Sequence, residues 1–356
     1  MVTAKRLTVS ETAFIIVGNP GSAMSIREVA ARAGVSPATV SRVFTRPDTV
    51  AEGTRNRVMA VAEELSYAPH PVARSLARGR TGNLGIVVPD IANSFSAVIT
   101  KAVQQEARRD GYTLFVAGSD EVPQDEERWA RAMAAQVDGL LLLSPQMSDE
   151  SLLGLAEIGP VVVTNRLLDG IPSVLTDSYE ASVHAVEHLH ALGHRRAVYL
   201  AGPDGYSNDV RQRGFRDGCT RLGVAAEELG PFHARFSAGV RAGDLVLATA
   251  ATGVVAYNDE VAVGVLNRLA DRGVRVPEDV SVIGFDDTLL AEMVTPRLTT
   301  VRIPAAAAGT AAVGMLLDVI AGRHLALRSL VLEAELVVRS STGPAQSAGT
   351  PTRGGR

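Results

Sequence analysis

The stretch Ser25-Ile26-Arg27-Glu28-Val29-Ala30-Ala31-Arg32-Ala33-Gly34-Val35-Ser36-Pro37-Ala38-Thr39-Val40-Ser41-Arg42-Val43 sets the character of the amino-terminal part of this 356-residue chain. Ser25 and Glu28 have the S-x-x-E spacing of a capping box, in which each side chain satisfies the other residue's free backbone N–H at a helix start. Val29, Ala30 and Ala33 follow at helical spacing, and Gly34 supplies the positive φ that ends a helix in a sharp turn. Ser36 then caps a second helix with Pro37 at its first position, where the missing N–H costs nothing. Val35, Val40 and Val43 can face the first helix, which leaves Ala38, Thr39, Ser41 and Arg42 outward. Two short helices around a glycine turn make a helix-turn-helix, although the spacing alone equally allows an ordinary α-hairpin.

Downstream, Val50-Ala51-Glu52-Gly53-Thr54-Arg55 leads into a third amphipathic helix with Val58, Val61, Ala62 and Leu65 on one face, closing a three-helix head. Between Met24 and Gly82 stand nine arginines and five acids, so this segment carries +4, while the rest of a chain of net charge −4 carries −8. A basic head on an acidic body is the asymmetry expected when one end meets phosphate.

These residues, with Val72-Ala73-Arg74-Ser75-Leu76 further on, resemble the head and hinge of the LacI/GalR family of bacterial repressors, and the similarity runs from about Ser25 to Val338. The resemblance implies that the second helix lies in the major groove, placing Pro37, Ala38 and Arg42 at base-reading positions, where arginine reads guanine through O6 and N7. Ser25, Ser36, Thr39 and Ser41 are placed for phosphates, which fix register. The family's hinge leucine, which wedges into the minor groove and bends the duplex, is matched by Leu76 with Ala73 beside it. His70 stands where the family has an asparagine cap. The segments expected are an extension over 1–23 with Met24 as the native start, a head over 24–69, a hinge over 70–82, a two-lobed domain over 83–340 and a Ser/Gly/Pro/Thr-rich disordered tail over 341–356.

From Asn83 the pattern becomes alternating strands and helices: Leu84–Val88, a helix around Phe95–Arg108, Tyr112–Val116, Val137–Leu143 and Val161–Val163, then Ala197–Leu200, Gly253–Tyr257 and Val280–Gly284. Short β-branched runs separated by helices imply right-handed crossovers and parallel sheets. The fold expected is therefore α/β, a helix-turn-helix head plus two doubly wound, periplasmic-binding-protein-like lobes, with a ligand beyond the carboxyl ends of the strands. The resemblance places Asn258, Asp259, Asp286 and Arg211 at effector-contacting positions and Phe236 near a stacking aromatic, with Ser94, Phe95 and Asn165 as contacts from the first lobe. Carboxylates and amides around an aromatic face suit a polyol such as a sugar. The implied function is a transcription repressor that binds a pseudo-palindromic double-stranded DNA operator as a homodimer and responds to a small-molecule effector. No cofactor or metal is implied, and the cytoplasm, at the nucleoid, is its expected location.

An enzyme is the alternative, because His184-Ala185-Val186-Glu187-His188 fits the H-x-x-E-H pattern of zinc hydrolases. The single cysteine, Cys219, cannot form an intrachain disulfide, and no pair of CxxC motifs is present. No G-x-G-x-x-G follows a strand and no P-loop occurs. The apolar Thr12–Gly18 is short for a signal peptide, and a periplasmic sugar-binding protein has no use for residues 25–78.

Overall fold

The computed structural model describes residues 25–67, 80–323 and 329–346, which fall into two units on either side of the Thr81–Gly82 junction. The expected extension over 1–23, and Ala73, Leu76 and His70 of the hinge, lie outside the described residues.

In the first unit, α1 (Ile26–Ala33), α2 (Pro37–Thr45) and α3 (Glu52–Glu64) enclose Val29, Ala30, Ala33, Val40, Val43, Val58 and Ala62. The capping box is formed: the Ser25 N–H donates to Glu28 Oε2 at 2.7 Å, and the Glu28 N–H donates to Ser25 Oγ at 3.3 Å. Gly34 ends α1 at φ 64°, and Ser36 Oγ accepts the Thr39 N–H at 3.1 Å to start α2. The caps thus fix the angle at which α2 leaves the turn.

The second unit holds two six-stranded sheets. In the first lobe, β1 (Asn83–Val88), β2 (Thr113–Gly118), β3 (Gly139–Leu143), β4 (Val161–Thr164), β5 (Ser173–Thr176) and β11 (Ser329–Leu332) run in the order β11-β5-β4-β3-β1-β2, all parallel. In the second lobe, β6 (Arg196–Leu200), β7 (Ala225–Leu229), β8 (Gly253–Ala256), β9 (Ser281–Asp286), β10 (Thr299–Arg302) and β12 (Glu335–Val337) run β12-β10-β9-β8-β6-β7, with β12 antiparallel. Strand alternation divides each lobe's core in two. Leu141 and Leu143 of β3 join Ile99, Val103 and Ala312 on one face, while Leu140 and Leu142 join Ala130, Met133 and Leu152 on the other. The helices covering the first lobe are α4 (Ser94–Arg109), α5 (Pro123–Ala134), α6 (Asp149–Ile158) and α12 (Ala305–Ile320); the second carries α7 (Ser178–Ala191), α8 (Tyr206–Leu222), α9 (Phe236–Val246), α10 (Asp259–Asp271) and α11 (Leu289–Met293). The chain passes between the lobes after β5, after β10 and between β11 and β12, so the connecting strands lie at one edge of each sheet.

The expectation of a disordered tail does not hold at its start. Ser340–Gln346 are described, and Ser341, wholly buried, accepts the Thr299 N–H at 2.8 Å and donates to the Val282 carbonyl at 2.6 Å. His194, 2% exposed, fastens this segment: Nδ1 meets Thr252 Oγ1 at 2.9 Å, and Nε2 lies 3.0 Å from Ser281 Oγ and 3.2 Å from the Gly343 carbonyl. A carbonyl can only accept, so Nε2 carries the proton. Low sequence complexity misleads here because small hydroxyl residues fit a narrow polar seam along the sheet.

Two outcomes follow from this packing. A Cβ at Gly264 would stand 2.3 Å from the Phe236 carbonyl, and one at Gly239 would stand 2.1 Å from the Val261 carbonyl, so α9 and α10 cross with their backbones touching. Gly264→Ala should lower stability by at least about 1–3 kcal/mol in urea unfolding, whereas Gly314→Ala, with open space around it, should be neutral or gain about 0.5–1 kcal/mol. Burial lowers the pKa of both His188 and His194 from 6.5. The stability each contributes is present above the unfolded value and is lost as pH falls below it. Histidine-selective NMR should find both rings titrating at lower pH than an exposed histidine; a ring that titrates as an exposed one contradicts its burial.

Candidate functional site

The head presents α2. Pro37, Ala38 and Arg42 are exposed and Thr39 and Ser41 half-buried, while Val40 and Val43 are turned into the core. Arg42 is oriented by Nε reaching the Ala38 carbonyl at 3.4 Å, one turn back. The hydroxyls of Ser25 and Ser36 cap helices, and Thr39 Oγ1 lies 2.9 Å from Ser36 Oγ, so these side chains hold the helix starts in place. Arg32 is tied to Glu64. No ion pair among the described residues engages Arg27, Arg42 or Arg46, all exposed, and their charge remains available to an anionic partner.

In the second unit, carboxyl ends of strands from both lobes converge on one cavity of about 690 Å³, its open mouth included. Its walls come from the segments after β1 (Pro89, Asp90, Asn93), β2 (Glu121), β3 (Ser144, Gln146), β4 (Asn165), β6 (Tyr206, Ser207, Asn208, Arg211), β7 (Ala234) and β8 (Tyr257, Asn258), and from the end of β9 at Asp286. Several of these turns are strained: Glu121, Ser144, Asn165 and Asp286 have positive φ of 62°, 46°, 49° and 106°. Non-glycine residues keep such conformations only where surrounding structure imposes them, and such outliers cluster at ligand sites.

Arg211 is the centre of the wall. Its side chain is 5% exposed, with Nη1 donating to the Tyr257 carbonyl at 2.5 Å and Nη2 3.5 Å from Asp286 Oδ1. The guanidinium lies over the rings of Phe285 and Tyr257, 4.5 and 4.9 Å from their centroids. Burial raises the pKa of Asp286, while Arg211 pulls it back down. Arg211 Nε and Ser207 Oγ, four residues apart on α8, are buried polar atoms without a protein partner.

Of the effector residues expected from sequence, Phe95, Asn165, Arg211, Asn258 and Asp286 line this cavity. Ser94, Phe236 and Asp259 do not. The Ser94 N–H is given to Glu260 across the cleft. Phe236 opens α9 outside the cavity wall, 44% exposed. Asp259 is wholly buried, with Oδ2 accepting from the Thr288 backbone N–H and hydroxyl and Oδ1 from the Thr300 hydroxyl; its carboxylate supports the turn behind Asp286. Asp90, Asn93, Glu121, Gln146, Ser207 and Tyr257 went unnoticed in the sequence, yet each follows a strand by a few residues, which was the available signal.

The hydrolase pattern is dispersed. His184 is exposed, Glu187 pairs with Arg221, and His188 Nε2 bonds Thr342 Oγ1 at 2.9 Å. Among the described residues no group of three His, Cys, Asp or Glu side chains is placed to hold a metal.

Residues 25–70 match the family model described as bacterial regulatory proteins, lacI family, and residues 186–342 match that of a periplasmic binding protein-like domain. The chain is 32% identical over 332 residues to the HTH-type transcriptional repressor CytR of Escherichia coli (strain K12), covering 90% of this chain and 97% of that protein. It is 33% identical over 332 residues to the HTH-type transcriptional regulator DegA of Bacillus subtilis (strain 168), covering 90% and 98%. Among solved structures, the lac repressor dimer bound to operator and the anti-inducer ONPF superposes with a TM-score of 0.78 at 27% identity, over 90% of this chain and 99% of that one. The complex of the regulator CelR with cellobiose gives 0.66 at 32% identity, over 89% and 99%. With the head and residues 186–342 matched and nearly the full length of these regulators aligned, the chain belongs to the LacI family of bacterial regulatory proteins and is a DNA-binding transcription regulator, not an enzyme.

Proposed function

We propose that this regulator is a repressor that binds a pseudo-palindromic operator as a homodimer and changes its hold on DNA when a sugar or related polyol occupies the cavity between its lobes. The observation that carries the effector reading is the pair of unpartnered donors, Ser207 Oγ and Arg211 Nε, buried in a wall of carboxylates, amides and the Phe95 ring. A buried polar atom without a partner costs about 1–3 kcal/mol. A ligand oxygen seated between them removes that cost, and the surrounding Asn165, Asn258 and Asp286 offer acceptors and donors to further hydroxyls. Related regulators are seen with cellobiose and, in Enterococcus faecium, with ribose.

On DNA, Arg42 reads a base while Pro37 and Ala38 make apolar contact, and Ser25, Ser36, Thr39 and Ser41 set α2 against phosphates. Ala73 and Leu76 are assigned the minor-groove wedge on the family resemblance. Dimerisation is supported by β2, an edge strand that exposes Phe115 and Val116 at 39% and 46%. An unpaired apolar edge is a surface that a second copy covers. The protein works in the cytoplasm, on the nucleoid.

A thermal-shift screen of sugars and nucleosides should find a compound that raises the melting temperature, since a ligand of the native state stabilises it. Arg42→Ala should lose about 1–3 kcal/mol of discrimination between operator and unrelated duplex. Asp286→Asn should keep operator affinity and lose the response to that compound; a normal response in Asp286→Asn overturns the cleft assignment.

A further inference from the structure

The lobes meet at a second place besides the strands that join them. The segments after β1 and β2 supply Asp90, Asn93, Asp120 and Glu121, and the segment between β7 and α9 supplies His233, Ala234 and Arg235. Glu121 accepts from both His233 Nδ1, at 2.8 Å, and the Ala234 N–H, at 3.2 Å. The Ala234 carbonyl accepts from Asn93 Nδ2 at 3.5 Å and, within its own lobe, from Asn258 Nδ2 at 3.2 Å. Arg235 reaches Asp90 at 3.0 Å and Asp120 at 3.7 Å. The Ser94 N–H at the start of α4 donates to Glu260 of α10 at 3.1 Å.

The position of these contacts gives them leverage. Sheet order puts the joining strands β5, β11, β10 and β12 at one edge of the two sheets, while β2 and β7 form the opposite edges, with β1 next to β2. A hinge motion that opens the cleft separates the lobes most at the edge away from the hinge, so these contacts break first. Their chemistry also suits reversible closure. The Glu121 side chain is 4% exposed and Asp90 13%, but His233 and Arg235 remain 68% and 43% exposed, so water can take over both partners when the contacts part. Each contact has one partner open to water, so each is weak by itself, and several together bias an equilibrium without locking it.

We infer that His233, Ala234 and Arg235 form a clasp that closes on Asp90, Asp120 and Glu121, holding the two lobes together over the effector cavity and setting the free protein's balance between open and closed forms. Asp90, Asn93, Glu121 and Ala234 belong to both the clasp and the cavity wall, so a ligand that touches them acts directly on closure. His233 and Arg235 stand outside the wall and are positioning residues. The inference rests on the effector-cleft reading for its biological meaning, while the closure itself is measurable without any ligand.

The test uses the full-length protein with Cys219→Ser and spin labels at Gln124→Cys and Arg241→Cys, exposed positions on the first and second lobe, read by pulsed dipolar spectroscopy. Ligand-free protein at low salt should give a short, narrow interlobe distance. The same protein in 1 M NaCl, and the His233→Ala/Arg235→Gln double variant at low salt, should give distances longer by more than roughly 2 Å. The double variant should no longer respond to salt, and its melting temperature should match the parent's. Equal distances in parent and variant, or a variant that still opens with salt, overturn the clasp. Should the variant fail to fold, the salt response of the parent decides alone, and its absence overturns the inference. None of these readings depends on an effector being found.

Discussion

A guanidinium taken out of water has to be compensated, and in this chain the compensation of Arg211 organises the effector end of the molecule. The charge is paired with Asp286, bonded to the Tyr257 carbonyl and flanked by the rings of Phe285 and Tyr257. Those partners come from the ends of β8 and β9, while Arg211 itself sits on α8. Three separate elements are thereby held in register by one side chain. Removing either member of a buried pair leaves the other uncompensated, at several kilocalories per mole. Asp259 supports the same wall from behind. Fully buried, it holds Thr288 and Thr300 and so fixes the strained turn on which Asp286 is presented.

Much of this was legible in the sequence because it is written in local signals. The capping box, the glycine turn and the Ser36-Pro37 restart each depend on residues within four positions, and all three are present in the folded head. The buried central strands of both sheets were equally plain, since Leu84–Val88, Leu140–Leu143 and Val254–Ala256 are apolar on both faces. The strands that went unread are at the edges or carry the chain between lobes. β7 is Ala-Ala-Glu-Glu-Leu, mostly exposed, and its pairing with β6 is a matter of position. β11 and β12 are short and join different sheets, which no periodicity announces.

The cavity shows the same division. Arg211, Asn258 and Asp286 were found through resemblance, and the structure puts them on one wall. Asp259 and Phe236, adjacent in sequence to residues that line the cavity or its rim, point elsewhere: one carboxylate turns into the core to satisfy threonines, and one ring stays at the exposed start of a helix. Successive residues at a helix start point in different directions, so proximity in sequence is a poor guide to which side chain enters the cleft. Asp90 and Glu121 were missed because acids in loops are common, and only their convergence across the lobes sets them apart.

The threefold passage of the chain between lobes has a further consequence for how the protein is made. Each sheet closes with a strand near the carboxyl terminus, β11 for one and β12 for the other, so neither lobe is a contiguous piece of chain. Both must wait for residues 329–337 before their last strand can pair. A ribosome-bound nascent chain therefore displays an assembled helix-turn-helix long before it has a cavity to govern it, and such distant pairing is slow to form. The part that meets DNA is complete in the growing chain before the part that regulates it.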